Sequence, residues 1–127
     1  ATLARALAAA RQAADRAAAA NGCTVEWRHV WRIDPCRFDP RLVDLCADAV
    51  QEVTGHSPRL PSGPLHDAVE MGRIMPAVMM FSMSSNGLSH CMEEDTPEPD
   101  LEVTIEAFLR LVDKTVAAVA TGEVSVG

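Results

Sequence analysis

Hydrophobic and polar positions along the chain change period several times, and each change marks an element. In residues 3–20, Leu3, Leu7, Ala10, Ala14 and Ala17 fall on one narrow stripe. Twelve of the first twenty residues are alanine, the best helix former, so this stretch predicts a helix that packs through small side chains. Asn21-Gly22 is a stop of the kind found at helix C-termini. The period then drops to two. Val25, Trp27, His29, Trp31 and Ile33 alternate with Thr24, Glu26, Arg28 and Arg32, broken only by Val30, which predicts a half-buried strand over Thr24–Ile33. One helix and one strand do not close a core, so the segment reads as the end of a domain.

Asp39-Pro40 offers an N-cap followed by proline at the first helical position, and Leu42, Leu45, Cys46, Ala49, Val50 and Val53 recur at helical spacing until Thr54-Gly55. Three prolines and a glycine between residues 56 and 65 predict a loop, followed by a short helix over His66–Ile74. Pro76 opens the apolar run Ala77–Phe81, short and without alternation, as expected of a strand buried on both faces. A polar loop fills residues 83–95. Loops of that length inside a compact domain are usually functional. Thr96-Pro97 then predicts the N-cap and first position of a last helix, with Glu98 and Asp100 in its first turn. Its expected buried stripe is Leu101, Ile105, Phe108, Leu109, Val112, Val116 and Val119.

Composition narrows the function. Of the 127 residues, 48% are hydrophobic and 23% charged, values typical of a globular protein and far from disordered or collagenous chains. A formal net charge of −7 argues against a nucleic-acid binder held by phosphate contacts, and the absence of tyrosine removes one source of stacking platforms. No apolar run reaches the roughly 20 residues needed to span a bilayer. Cys23, Cys36, Cys46 and Cys91 contain no CxxC pair, so a zinc ribbon or thioredoxin-like motif is excluded and reduced thiols in a cytoplasmic protein are expected. The chain opens at Ala1, not at a methionine, and is read as a fragment.

Two short stretches could carry chemistry. In Ser62-Gly63-Pro64-Leu65-His66-Asp67-Ala68, a histidine precedes an aspartate at a helix start. Nearby acceptors can fix the tautomer of such a ring; equally, Asp67 could cap the helix and leave His66 exposed. In Asn86-Gly87-Leu88-Ser89-His90-Cys91-Met92-Glu93-Glu94-Asp95-Thr96, a histidine follows a glycine turn just beyond the apolar run. Ligand sites of open α/β sheets lie at the carboxyl ends of strands, so His90 has the right address for a ligand. A surface loop histidine beside a solvated acidic run fits the same residues. His29, between Trp27 and Trp31, reads as a packed histidine, His56 has no evident partner, and Met79, Met80 and Met83 read as core fillers. A nucleophile elbow, P-loop, GxGxxG and HExxH are absent.

Taken in order and spacing over about residues 55–115, SGPLHDA, PAVMMFS and NGLSHCMEEDTPEPDL resemble the C-terminal part of the amidase/hydantoinase/carbamoylase family in the M20 metallopeptidase clan. That family, which includes N-carbamoyl-L-amino-acid hydrolases and allantoate amidohydrolases, usually shows SGAGHDA and G-[IL]-S-H-x-x-x-E. Ser62, Gly63, His66, Asp67 and Ala68 match the first pattern and Gly87, Ser89, His90 and Glu94 the second, whereas Pro64-Leu65 departs from it. The resemblance implies an α/β fold: residues 39–127 as the C-terminal part of an open-sheet di-metal hydrolase catalytic domain, and residues 1–38 as the last helix and strand of an α+β lid or dimerisation domain.

The resemblance also implies roles for single residues. His90 matches a ligand of a two-metal centre holding zinc or another divalent ion such as manganese, cobalt or nickel. His66 matches a substrate-binding histidine that stabilises the tetrahedral intermediate. Asp67 would orient His66, and Glu94 would support the His90 loop. The intact protein is then expected to be a cytoplasmic homodimer that hydrolyses a C–N bond of a small ureido acid or amide. The family draws its other ligands and its general base from segments of which this sequence shows none, so the chain by itself is expected to be inactive. An M20 peptidase or aminoacylase, and a non-catalytic α/β interaction domain, are the alternatives.

Overall fold

The computed structural model describes residues 2–125. They fall into two compact units, divided between Asp34 and Pro35. The first contains α1, Thr2–Ala20, followed by an extended stretch. The second contains α2 (Pro40–Thr54), the short α3 (Asp67–Met71), a single 3-10 turn at Ser85–Gly87 and α4 (Glu98–Ala120).

In the first unit, α1 forms as its alanines dictate and ends where expected: Cys23 N–H donates to Ala18 O at 2.9 Å past Gly22, whose φ is +62°. Its side chains are not buried. Leu3 and Leu7 are exposed, and of the expected stripe only Ala14 is even half-buried. The strand expected over Thr24–Ile33 does not form: the stretch has no regular structure, with Val25, Trp27, His29, Val30 and Trp31 all exposed. Alternation encodes which face a strand buries, but a strand also needs a neighbour for its N–H and C=O groups. No such neighbour exists among the described residues. His29 is therefore exposed, not packed.

In the second unit the core is the contact between α2 and α4, the one pair of helices that pack together among the described residues. α2 starts as read from the sequence: the Asp39 carboxylate accepts the Leu42 N–H at 2.9 Å, and Pro40 occupies the first turn. It ends at Gly55, where φ is +76° and the cap N–H returns to Gln51 O. Its buried face is Leu42, Leu45, Cys46 and Ala49, the last with no exposed surface. Burial pushes the Cys46 thiol pKa up, so it stays an inert apolar filler.

α4 meets this face differently from expectation. Ala107, Leu111 and Ala118 are buried, whereas Leu101, Ile105, Phe108, Leu109, Val112 and Val116 are exposed and Val119 is half-buried. At 100° per residue the buried lane lies about a third of a turn away from the expected stripe. α4 is apolar around more than one face, and the lane with small side chains permits the closest approach to Ala49. Beside that lane, Glu52 of α2 accepts from Lys114 Nζ at 2.7 Å and pairs with Arg110 at 3.5 Å. Past α4, Gly122 turns at φ +76°, Glu123 N–H returns to Ala118 O, and Val124 folds back into the core. Arg41 at the start of α2 pairs with Glu123 there.

The helix start also shifts by one residue. Pro97 is the cap, and the Thr96 hydroxyl donates instead to Met83 O at 2.9 Å, tying the loop to its own beginning. The run Ala77–Phe81 forms no regular element, and Ala77–Met80 are half-buried while Phe81 is exposed, so it is not buried on both sides. Only Ala77 O takes part in a backbone bond, from Asp39 N–H at 3.1 Å. Val78 and Met80 lie against the α2–α4 core, whereas Met83 is exposed. No strand forms among the described residues, so the open sheet is not observed.

Two outcomes test this packing. Ala49→Leu should cost about 1–3 kcal/mol in denaturant titration, because no space remains at that contact. The Lys114 hydrogen bond, helped by Arg110, holds the Glu52 carboxyl below its ordinary value of 4.5. That contribution is present above the ordinary value and is lost as pH falls through the depressed one, so Glu52→Gln should flatten the acid limb of the stability–pH curve.

Candidate functional site

The site is built by two loops that converge on the end of the extended run. His66 sits in the cap position of α3 with extended backbone, φ −128° and ψ 149°, and makes no side-chain cap. Asp67 occupies the first turn of α3, and no hydrogen bond joins it to the His66 ring among the described residues. His66 is half-buried and points its ring at Phe81, the last residue of the run, edge to face with centroids 6.5 Å apart. His90, twenty-four positions along, brings its own ring to 6.2 Å from His66 at 68°. The two histidines singled out in the sequence are thus brought together beside Phe81.

The loop carrying His90 is tightly turned. Asn86 and Gly87 are left-handed at φ +57° and +67°, and the Ser84 hydroxyl donates to Leu88 O across the turn. Ser85 N–H donates to Asp95 O at 2.8 Å and closes the loop at its base. His90 itself adopts φ +60°, a region that costs an L-residue roughly 1–2 kcal/mol. That strain is held by Glu94, whose Oε2 accepts the His90 N–H at 2.5 Å, and the His90 Nδ1 lies 2.6 Å from Ser89 Oγ. Backbone strain held by specific contacts is characteristic of sites where a side chain must be presented. Glu93 and Asp95 are exposed and make no side-chain contact of this kind.

Beside the histidines a cleft of about 670 Å³ opens between α2, α4 and the loops, lined by Cys46, Val50, Val78, Met80, Phe81 and His66. Its walls are mostly apolar. Ser82 and Thr104 hydroxyls meet at its rim, 2.9 Å apart.

The model of Peptidase family M20/M25/M40 matches residues 4–114 of this chain. The chain belongs to that family. Among curated relatives, a putative hydrolase of Mycolicibacterium smegmatis is 32% identical over 126 residues, covering 94% of this chain and 28% of the relative. Allantoate amidohydrolase of Bacillus subtilis is 35% identical over 83 residues, 65% of this chain and 20% of the relative. N-carbamoyl-L-amino-acid amidohydrolase of Rhizobium meliloti is 35% identical over 74 residues, 58% and 17% respectively. The chain therefore spans between about a sixth and just over a quarter of the length of these relatives. No solved structure gives a significant match. The family resemblance drawn from the SGPLHDA and NGLSHCMEED segments is borne out.

M20 enzymes are generally metal-dependent, and the donor set can be compared with that requirement. No three His, Cys, Asp or Glu side chains converge as a metal would need among the described residues. His90 is suited to be one ligand: it is exposed, and its Nε2 makes no hydrogen bond among the described residues. It cannot hold an ion alone, since catalytic zinc sites typically take three protein ligands. All four cysteines are free, and Cys91 beside His90 is exposed and unpaired with it.

Phe81 and Ser89 are the site residues whose roles the sequence did not reveal. Phe81 looked like core because the run before it is apolar. Ser89 was visible only as a letter in a motif, although its position directly before a candidate ligand was the available signal.

Strain at position 90 is directly measurable. His90→Gly should be more stable than His90→Ala by about 1 kcal/mol in denaturant titration, since glycine adopts the left-handed region freely.

Proposed function

We propose that this chain is part of a metal-dependent amidohydrolase that cleaves a C–N bond of an N-carbamoyl amino acid or related ureido acid. The observation that carries the reading is the meeting of His66 and His90, from separate loops, beside an apolar cleft in an M20 family chain. The relatives named allantoate and N-carbamoyl-L-amino-acid amidohydrolases supply the substrate class.

In this reading residues 39–127 belong to an α/β catalytic domain in which Ala77–Phe81 pairs as a strand of an open sheet, and residues 1–38 belong to a lid or dimerisation domain of a cytoplasmic homodimer. His90 would be one of the side chains holding a pair of divalent ions, zinc or manganese, cobalt or nickel, which when bound would supply polarisation of the scissile carbonyl and activation of water. The side chains of this chain orient and bind. His90 contributes one imidazole ligand. Glu94, by accepting the His90 N–H, keeps that imidazole presented against the strain of its backbone. His66, half-buried against Phe81, is oriented to donate a hydrogen bond to the oxygen that gains negative charge as the carbonyl becomes tetrahedral. Asp67 begins the helix that fixes the His66 backbone. With a carbamoyl substrate the products are ammonia, carbon dioxide and the amino acid.

Pro64-Leu65, where the resembled pattern has Ala-Gly, stiffens the loop before His66, and Ser62 Oγ donates to Pro64 O at 3.1 Å within it. The exposed apolar face of α4 calls for a covering neighbour, which in this reading is the rest of the catalytic domain. The isolated chain is inactive in this reading, because its described residues do not complete a metal site.

The test uses the full-length protein with zinc or manganese, measuring ammonia release from N-carbamoyl amino acids and allantoate. Turnover that falls by at least about 100-fold in His90→Ala, and by about 10–100-fold in Glu94→Gln, is the expected result. Unchanged turnover of His90→Ala at full metal content contradicts it. Hydrolysis of N-acyl but not ureido substrates assigns the protein to the aminoacylase or peptidase branch instead.

A further inference from the structure

The loop fixes the His90 backbone and the His90 ring by different residues. Glu94 takes the backbone N–H, and the ring is contacted by its own neighbour, Ser89 Oγ on Nδ1 at 2.6 Å. Adjacent side chains on extended backbone point apart. Here the left-handed φ of +60° at His90 turns the ring back toward Ser89, so the strained backbone and the Ser89 contact are one arrangement. We propose that Ser89 is a positioning residue that accepts the Nδ1–H of His90 and so holds the ring in the tautomer whose unprotonated Nε2 is offered to the site.

A serine hydroxyl can donate or accept, and the surroundings decide the direction. Ser89 is exposed, so its own proton can go to water while an oxygen lone pair accepts from the ring. Nε2 makes no hydrogen bond among the described residues and is exposed, free to meet water or a ligand. Metal-bound histidines almost always donate their other ring N–H to an oxygen, which fixes tautomer and orientation. Ser89 is the only such oxygen at hydrogen-bond distance from the His90 ring among the described residues. The metal-ligand reading enters only in what Nε2 binds; the tautomer itself belongs to the chain.

Long-range proton–nitrogen correlation spectra of the full-length protein labelled with 15N-histidine report the tautomer of each neutral ring. For metal-free protein the expected spectrum shows His90 protonated on Nδ1, shifting toward the Nε2–H form in Ser89→Ala and returning in Ser89→Thr, which restores the hydroxyl. Zinc affinity, measured against a chelator, should fall about 10–100-fold in Ser89→Ala and recover in Ser89→Thr. A wild-type His90 already protonated on Nε2, or a tautomer unchanged in Ser89→Ala, overturns the proposal. If the tautomer behaves as stated but zinc leaves the His90 ring signals unmoved, the positioning role stands and the ligand reading fails. If zinc binds at Nε2 while Ser89→Ala keeps the wild-type tautomer, the ligand reading stands and the positioning role fails.

Discussion

Everything in the larger unit hangs on the close approach of α2 and α4. Ala49 on one helix and Ala118 on the other carry small side chains in this contact, with Leu42, Leu45 and Leu111 packed in the same cluster. That contact has consequences at both ends of the pair. Where α2 begins, Asp39 N–H holds Ala77 O and anchors the run that ends at Phe81. Where α4 begins, Thr96 holds Met83 O and closes the loop that bears His90. The run that ends at Phe81 and the loop that bears His90 are thus both fastened beside the ends of one helix pair.

The site then adds a constraint of its own. A left-handed histidine is unfavourable for the backbone, and the loop offsets this with the Glu94 carboxylate on the N–H and the Ser89 hydroxyl on the ring. Both contacts lie at the exposed surface. Their use is orientation. A ring whose backbone and one nitrogen are both engaged has one direction left in which to meet a ligand.

Elements whose cause is local were legible in the sequence. The Asp39-Pro40 start and Gly55 stop of α2 follow from cap chemistry that needs no distant partner, and the loop at 83–95 follows from its polar composition. The resemblance of SGPLHDA and NGLSHCMEED singled out His66 and His90, and the fold brings their rings to 6.2 Å. Elements whose cause lies elsewhere were not legible. Alternation at Thr24–Ile33 states which side chains want burial but cannot supply a neighbouring strand, and among the described residues none exists. The apolar residues of α4 cover more than one face, so counting periodicity picked the broader stripe, whereas α2 packs on the lane of small residues. The Ser89–His90 contact depends on the sign of one φ angle, which no pattern of residue types specifies.

The central claim is that His66 and His90 belong to one metal-centred site, and relaxation by a paramagnetic ion tests it most directly. Manganese added to the full-length protein in substoichiometric amounts broadens ring protons steeply with proximity. His90 should broaden first and His66 next, and the broadening of His66 should weaken when His90→Ala removes a ligand. A His90 ring that stays sharp, or a His66 ring that stays sharp while His90 broadens, contradicts the claim.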